Sequence, residues 1–409
     1  AKCGLARLGA DLDPARVLRG RDIVCFSNDW DGDPLSKTHI MKILARDNRV
    51  LWVNSLANRR PEFSGRDLER IGKKIGDIAR GIREEWPNLH VLGPLALPAF
   101  GTMARAVNRI VFRQQILLAM KRLGFRNPVS WSFLPSSAPV SGALGEELMV
   151  YHCVDEFTAF TGASPEIGEL EASLARRADL VIVSAERLRA AKKRYNSNIH
   201  VIRHGVDHAH FAKALDPKTS VHPEIADLPK PVLGFFGLIE DWVDLTLIRR
   251  LSSTFPEASI VLIGKVQTSL AAIAGAPNVY LMGRRPYEEL PSFCKGFDVA
   301  LMPFVDNELA RSANPLKVKE YLAAGLPVVS TPVPEVEALG LCRIARNHQE
   351  FVEGVREALK DPGPTQARSQ SVLGESWESK VEEIRQAILE TYRRRTVGSA
   401  DSGFASPPN

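Results

Sequence analysis

The chain of 409 residues is long enough for two α/β domains, each with its own hydrophobic core. Its 44% hydrophobic residues, 25% charged residues and net charge of +5 are those of an ordinary soluble globular protein, and we expect neither a membrane span of roughly 20 apolar residues nor a signal peptide. The five cysteines, odd in number and far apart, favour buried thiols of a reducing cytosol over disulfides or a zinc site.

Apolar, strand-like segments alternate with helical ones along both halves of the chain. They are DIVCFS, RVLWVNS, LHVLGP, PVSWSFL, LMVYHCV, LVIVSA and IHVIRHGVD, then, after a polar stretch, PVLGFFG, ASIVLIG, VYLMG, FDVALMPF and LPVVST. This alternation predicts an α/β protein of two doubly wound, Rossmann-like domains that face each other across a cleft. The predicted parts are a flexible lead at 1–20, an N-terminal domain at 21–212, a linker at 213–230, a C-terminal domain at 231–376, a helix at 377–395 and a disordered tail at 396–409.

The loop SNDWDGDP follows the first predicted strand. Gly32 lets the backbone pass close to a ligand, and Asp29 is a short acceptor suited to sugar hydroxyls. We take Asp29, Trp30 and Gly32 as candidates for binding an acceptor sugar. Turn formation and capping of the next helix explain the loop equally well, so both interpretations stand.

The segment from Ala57 to Arg126 is strongly basic, with 14 Lys and Arg against 6 Asp and Glu. A helix predicted within it, from residue 102 to 125, carries Arg105, Arg109 and Arg113 four residues apart. A basic amphipathic helix of this kind can lie on an anionic membrane surface. It could equally be a solvated face of the domain. Nucleic acid is disfavoured as a partner because the segment contains no recognisable binding module.

The motif YHCVDEF ends a predicted strand of the N-terminal domain with two acids. Asp155 would lie where this strand runs into the cleft, and a carboxylate there can take the proton of a substrate hydroxyl. His152 and Glu156 are close enough in sequence to take the same role. The alternative is that Asp155 only caps the following helix.

Two loops of the C-terminal half, GFFGLIEDW and GRRPYEELP, also follow predicted strands. Gly237 in the first would let a diphosphate approach the backbone closely. Arg284 in the second is a candidate cation for the same phosphates, and Tyr287 is a candidate for contact with the rest of the ligand. Arg284 or the adjacent Arg285 could instead form an ordinary surface salt bridge.

The stretch NPLKVKEYLAAGLPVVST begins at Asn314 and predicts a short helix followed by a buried strand. Asn314 can cap the helix and Pro315 suits its first position, so the free N–H groups near Leu316 would form an anion site beside Lys317. Glu320, one turn further on, could accept two hydrogen bonds from a ribose diol. The spacing therefore suits a nucleoside diphosphate, although a helix that merely covers the sheet is the alternative.

These motifs resemble the nucleotide-sugar glycosyltransferases of the GT-B fold, especially the retaining family 4 and its relatives in bacterial polysaccharide assembly, over most of residues 21–395. The resemblance implies that Glu320 binds the donor's ribose, that the loop of Tyr287 lies against the nucleobase, and that the helix at 377–395 crosses back to the first domain. Around Asp155 the pattern is most similar to teichuronic-acid and xanthan-type glucuronosyltransferases. That similarity implies that Asp155 is the base of an inverting reaction.

The chain also departs from the family 4 pattern. Where the family has an Arg and a Lys that clamp the phosphates, this chain has Leu238 and Trp242. Where the family has a Glu eight residues before the ribose-binding one, this chain has Ser312, and Glu308 cannot be assumed to substitute. These departures weaken the expectation of a retaining reaction, and Asp155 shifts the prediction slightly towards inversion.

The sequence therefore predicts a transferase that moves a sugar from a nucleotide diphosphate donor, a UDP sugar, to a hydroxyl of a lipid-linked or cell-surface polysaccharide. No cofactor and no metal are expected, because Lys317 and the helix dipole would take the place of a metal ion. We expect a cytoplasmic protein bound peripherally to the inner face of the plasma membrane. The alternatives are a catalytically silent homologue that binds nucleotide sugar or glycan as an assembly partner, and a UDP-sugar epimerase.

Overall fold

The computed structural model describes residues 17–55, 81–94 and 102–401. These residues form two sheets, one in each half of the chain. The predicted class is confirmed, because each sheet has parallel strands joined through helices, as in a doubly wound α/β domain. Residues 1–16 of the predicted lead, 57–80 and 95–101 of the basic segment, and 402–409 of the predicted tail lie outside the described residues.

The N-terminal sheet has eight described strands in the order β3-β4-β2-β1-β5-β6-β7-β8. They are β1 (Asp22–Phe26), β2 (Arg49–Val53), β3 (Ile82–Trp86), β4 (Leu89–Leu92), β5 (Val129–Ser132), β6 (Leu148–Cys153), β7 (Leu180–Val183) and β8 (Ile199–Val201). β3 runs antiparallel to β4, and the other neighbouring pairs are parallel. The central strands are buried along almost their whole length because both faces of the sheet are covered.

Helices cover both faces of this sheet. They are α1 (Ser36–Leu44), α2 (Thr102–Leu123), α3 (Ile167–Arg177) and α4 (Glu186–Lys192). Ile40 and Met41 of α1 pack into one cluster of buried residues, and Phe112 and Ile116 of α2 pack into another. The two clusters lie on opposite faces because neighbouring residues of β1 alternate between them.

The C-terminal sheet has six parallel strands in the order β11-β10-β9-β12-β13-β14. They are β9 (Val232–Phe236), β10 (Ser259–Ile263), β11 (Val279–Gly283), β12 (Val299–Met302), β13 (Val328–Ser330) and β14 (Arg343–Ile344). The helices of this half are α5 (His208–Phe211), α6 (Pro223–Ala226), α7 (Leu245–Thr254), α8 (Leu290–Gly296), α9 (Glu308–Ser312), α10 (Leu316–Ala323), α11 (Pro334–Leu339), α12 (His348–Lys360) and α13 (Thr365–Gln370).

In both sheets the order of strands reverses beside the first strand of the domain, at β1 and β5 and at β9 and β12. Ligands of open α/β sheets bind beyond the carboxyl ends of the strands at such reversals. The loops that follow β1 and β9 lie at these reversals, and the other motifs singled out in the sequence follow the carboxyl ends of β6, β11 and β12.

The last helix, α14 (Trp377–Asp401), returns to the N-terminal domain. Trp377, Val381, Ile384 and Ile388 are buried in the same cluster as α1. The helix continues past residue 395, where the sequence analysis ended it, as far as Asp401.

Cys25, Cys153 and Cys294 are buried free thiols, and Cys342 is a partly buried one. No helix in the described part of the chain has the length and hydropathy needed to cross a membrane. Within the same residues, no three side chains of His, Cys, Asp or Glu come together as a metal site would require.

Candidate functional site

The two domains meet along the cleft through hydrogen bonds that join their loops. Nδ1 of His204 donates to the main-chain oxygen of Asn314 at 2.7 Å, and Nζ of Lys319 donates to the main-chain oxygen of His204 at 2.6 Å. Nε of Arg203 donates to Glu335 at 2.6 Å. The helix that begins at Leu316 is thus fixed against the end of the N-terminal domain at its first turn.

Gly237, at the end of β9, is held in a conformation that few other residues adopt, with φ of +131°. Its N–H donates to the oxygen of Ile263 at 2.9 Å. A Cβ at this position would lie 2.7 Å from Cε and 3.0 Å from Nζ of Lys317. The missing side chain of this glycine makes room for the lysine, whereas its approach to a diphosphate stays a prediction.

The ammonium group of Lys317 lies over two aromatic rings, 5.3 Å from the centroid of Phe235 and 5.0 Å from that of Phe304. Burial lowers the pKa of Lys317 to about 8, against the opposing charge of Glu320. Across the residues that the structure describes, no hydrogen bond or ion pair is made by this side chain. A half-buried cation without a counter-ion favours the binding of an anion.

Glu320 lies one helical turn beyond Lys317, as the spacing predicted. Burial raises its pKa to about 7; Lys317 opposes the shift and Asp207 adds to it. Its carboxylate makes no hydrogen bond or ion pair to any residue of the described ranges. The helix thus carries one unpaired cation and one unpaired carboxylate on the same wall of the cleft.

The predicted cap of this helix was wrong in detail. The helix begins at Leu316, so Pro315 is the N-cap, and Pro has no side chain that can accept a hydrogen bond. The side chain of Asn314 instead approaches Glu335, with its Nδ2 3.4 Å from Oε2. Because no side chain caps the first turn, its N–H groups remain available to a ligand. Leu316 itself packs against the N-terminal core.

Tyr287 is held by other rings rather than projecting freely. His210 stacks on it with centroids 4.3 Å apart, and Phe211 meets it edge-on at 5.6 Å. His39 also lies near this ring, with centroids 5.9 Å apart, so neighbouring rings surround Tyr287 and limit its access to a nucleobase. The hydroxyl of Tyr287 is buried without a partner among the described residues, and burial, with the charge of Glu320, raises its pKa.

Arg284 crosses the cleft. Its Nε donates to Oδ1 of Asp33 at 2.8 Å, and both side chains are more than half exposed. Arg285 pairs with Glu224. Each arginine thus has a carboxylate partner, and Arg284 is available to phosphates only where Asp33 releases it.

Asp155 follows β6, and its carboxylate lies near a buried lysine that the sequence analysis missed. Burial raises the pKa of Asp155, and the charge of Lys37 opposes that rise. Nζ of Lys37 donates to Asn28 at 2.6 Å, and burial lowers its pKa. The Asp155 carboxylate has no hydrogen bond to any described residue, which leaves it free to accept a proton.

His152 is a poor substitute for Asp155 as a base. It is buried between the rings of Trp131 and Phe133, and burial lowers its pKa to about 3. Its Nδ1 has no partner in the described part of the chain, and the same holds for Nε2 of His204. The nearby positive charge of Lys37 further disfavours the imidazolium form.

Glu156 is equally unsuited to that role, because it is engaged in a buried ion pair. Its carboxylate accepts two hydrogen bonds from Nζ of Lys192, at 2.8 and 3.0 Å, and one from Thr158 at 2.7 Å. Lys192 also donates to Glu171 at 2.8 Å. The two acids of the motif therefore differ: the carboxylate of Asp155 has no hydrogen-bond partner among the described residues, whereas that of Glu156 is held in a buried ion pair.

In the loop that follows β1, the ring of Trp30 packs edge-on against that of Trp52 with centroids 5.1 Å apart. The main-chain N–H of Trp30 donates to Oδ1 of Asn54 at 3.1 Å. Asp29 accepts a long hydrogen bond of 3.4 Å from Ser55. A Cβ at Gly32 would only touch the oxygen of Asp29, at 3.5 Å. The loop is thus tied to the ends of β1 and β2, with Gly32 on its exposed side.

At the positions where this chain departs from the family pattern, the side chains pack against neighbours or form hydrogen bonds. Trp242 contacts Phe160 of the N-terminal domain edge-on at 6.0 Å. Ser312 is buried and donates to Glu308 at 3.3 Å, while Glu308 pairs with Arg187 at 2.6 Å. Glu308 is therefore not a replacement for the glutamate that the resemblance leads one to expect.

Comparison with known proteins finds similarity in the C-terminal domain and over much of the chain. The family described as "Glycosyl transferases group 1" matches residues 230–361. TuaH of Bacillus subtilis (strain 168), named as a glycosyltransferase of teichuronic acid biosynthesis, is 25% identical over 279 residues, which cover 64% of this chain and 67% of TuaH. The match to the group 1 domain agrees with the motifs that follow β9 and β12.

Solved structures of several enzymes align with most of the chain. Sucrose-phosphate synthase from Thermosynechococcus elongatus aligns with a TM-score of 0.66 at 14% identity, covering 93% of this chain and 100% of that one. A trehalose-6-phosphate synthase from Burkholderia multivorans aligns at 0.63 and 12%, covering 96% and 100%. HepE from Anabaena, solved with UDP and glucose, aligns at 0.57 and 15%, covering 93% and 100%. The GT-B resemblance is therefore confirmed in the fold.

Proposed function

We propose that this chain, a glycosyltransferase of the GT-B fold, transfers a sugar from a UDP sugar to a hydroxyl of a lipid-linked or cell-surface polysaccharide. The observation that carries the proposal is the unpaired Lys317 ammonium beside Gly237, with the unpaired carboxylate of Glu320 one turn away. The UDP bound by HepE and the polysaccharide pathway named for TuaH support the choice of donor and acceptor.

The donor's diphosphate would bind Lys317 and the uncapped first turn of α10. An anion there supplies the counter-charge that the ammonium lacks, and it receives N–H groups at the positive end of the helix dipole. Glu320 would accept the ribose hydroxyls, since an unpaired carboxylate offers acceptors to both. Lys317 and the N–H groups of the first turn of α10 would also stabilise the charge of the departing diphosphate, so the proposed reaction needs no metal ion.

Asp155 would act as the base of an inverting transfer. The acceptor oxygen forms its bond to the anomeric carbon while Asp155 takes the hydroxyl proton, and the electron pair of the breaking C–O bond goes to the diphosphate. Burial raises the pKa of Asp155 and so makes it more basic than an exposed carboxylate, while the charge of Lys37 opposes that rise.

The acceptor would reach the site from an anionic membrane surface through α2. This helix exposes Val107, Ile110 and Leu118, which are 41%, 58% and 49% exposed. Arg109, Lys121 and Arg122 are exposed beside them, whereas Arg113 donates to the oxygen of Ala143 at 2.9 Å. Apolar side chains flanked by cations suit peripheral binding at the inner face of the plasma membrane.

Calorimetric titration with UDP and with uridine tests the donor site. Lys317→Ala should weaken UDP binding at least about tenfold, because a charge-assisted contact to the diphosphate is lost, and should leave uridine binding nearly unchanged. An equal loss for both ligands would contradict the assignment. A matched control is Lys360→Ala, at the exposed end of α12.

A donor incubated alone and with a membrane lipid extract tests the reaction class. Release of UDP that depends on the extract is expected of a transferase. Conversion of the donor sugar without extract would indicate an epimerase, and UDP binding without any turnover would indicate a catalytically silent homologue.

A further inference from the structure

A second pocket lies outside the donor site, between α3 and α4 of the N-terminal domain and Glu308 of the C-terminal domain. Its volume is about 680 Å³, within the range of pockets that hold small ligands. Glu156 lines it, one residue after the proposed base Asp155. A ligand in this pocket would therefore contact the loop that carries the proposed base, at Glu156.

Two arginines that line this pocket carry a positive charge that no carboxylate pairs with in the described residues. The guanidinium groups of Arg176 and Arg194 lie over the ring of Tyr195, 5.0 and 4.6 Å from its centroid. In the described ranges neither makes an ion pair or a hydrogen bond. A ring orients a guanidinium without neutralising its charge, so both retain N–H donors for an anion.

The four carboxylates that line the pocket are compensated only in part, because the single charge of Lys192 serves two of them. Glu156 and Glu171 share the ammonium of Lys192, and Glu308 pairs with Arg187. Glu169 is exposed and makes no hydrogen bond or ion pair to a residue that the structure describes. The pocket thus combines two free cations with one free carboxylate, which can accept hydroxyl hydrogens.

We propose that this pocket binds an anionic saccharide unit of the acceptor, with its negative group on Arg176 and Arg194 and its hydroxyls on Glu169. The inference rests on the proposed function, because it places an acceptor unit against the loop that carries the proposed base, through Glu156 and Thr158. The negative group is a carboxylate or a phosphate, since both accept paired N–H donors from arginine. A neutral sugar would leave the two guanidinium groups without a partner.

Titration with glucuronate, inorganic phosphate and glucose tests the pocket. The double substitution Arg176→Gln and Arg194→Gln should weaken binding of the anionic probes at least about tenfold, because two charge-assisted contacts are lost. The matched control is Arg189→Gln, an exposed arginine of α4 that pairs with Glu186 and does not line the pocket. Because inorganic phosphate can also bind the proposed donor site, the titrations are repeated in Lys317→Ala, which should retain the binding of glucuronate and the phosphate binding that depends on Arg176 and Arg194.

Tighter binding of glucuronate than of phosphate assigns the negative group to a sugar acid, and the reverse order assigns it to a sugar phosphate. The proposal is overturned if glucose binds as well as glucuronate, if neither anion binds, or if the double variant keeps wild-type affinity. UDP titrations of the same variants keep the two sites apart. If the double arginine variant loses UDP binding, the proposal of a separate pocket is wrong. If Lys317→Ala binds UDP normally, the proposed donor site is wrong.

Discussion

Gly237 and Lys317 are in direct contact on the donor side of the cleft, because a Cβ on the glycine would lie 2.7 Å from Cε of the lysine. Gly237→Ala should therefore displace the ammonium, and its φ of +131° adds backbone strain of about 1–3 kcal/mol. We expect UDP affinity to fall about tenfold or more, measured by calorimetry.

The control for this substitution is Gly275→Ala. Gly275 also has a positive φ, of +69°, but its added Cβ would have no atom within 4 Å. This variant should lose about 1 kcal/mol of unfolding free energy and keep its UDP affinity. Equal UDP affinity in both variants would show that the contact with Lys317 does not matter.

The affinity for UDP should depend on pH through Lys317. Its pKa is about 8 in the free protein, and a bound diphosphate stabilises the charged form and so raises that pKa. Affinity is therefore fully present below pH 8 and is lost as the pH rises through this value. We expect about a tenfold loss between pH 7.5 and 9.5, measured by calorimetry.

Neighbouring titrations do not produce the same trend. Glu320 has a pKa of about 7, so it is mostly ionised at pH 7.5, and the second ionisation of a phosphate, near pH 6, is complete. Lys317→Arg keeps its charge across the range, so any UDP binding it retains should be independent of pH. A wild-type affinity that stays flat up to pH 9.5 would remove Lys317 from the site.

The sequence predicted the fold class because the buried strands of both sheets carry their own apolar signal, whereas the edge strands β3 and β14, which are polar or very short, were not predicted. The i, i+3 spacing of Lys317 and Glu320 was likewise sufficient to place them on one face of a helix. The position of the cap was not predicted, because it depends on whether the first helical residue is Pro315 or Leu316, and a shift of one residue removes the capping side chain.

The surroundings of Asp155 could not be read from the sequence. Lys37 lies 118 positions earlier on α1 and comes near only because β1 and β6 both flank β5 in the sheet. The pairing of Glu156 with Lys192 spans 36 residues and two helices. A sequence shows two adjacent acids, and only the fold shows which one is paired.

Asp155→Asn should remove most of the transfer activity without affecting the donor site. The amide cannot take a proton from the acceptor, so turnover should fall at least about a hundredfold. UDP affinity should stay within about twofold, since Asp155 is not part of the proposed donor site. Turnover is measured as UDP release in the presence of the lipid extract.

The matched control is the adjacent acid. Glu156→Gln leaves Lys192 with one charged partner in place of two, so it should lower the unfolding free energy by about 1–3 kcal/mol. The surviving folded protein should keep its turnover. Near-normal turnover in Asp155→Asn, or an equal loss of turnover in both variants, would exclude Asp155 as the base.

Binding to a membrane should depend on the exposed face of α2. The double substitution Ile110→Glu and Leu118→Glu places two negative charges among apolar and basic side chains, so it should reduce sedimentation with phosphatidylglycerol vesicles at least about tenfold. Leu373→Glu is the control, because Leu373 is 57% exposed in the C-terminal half and belongs to no basic face.

Binding should weaken with added salt and be absent on phosphatidylcholine alone, since it requires attraction between Arg109, Lys121 and Arg122 and anionic lipid. Equal sedimentation of all three proteins would mean that α2 is an ordinary solvated helix and that the acceptor reaches Asp155 by another route.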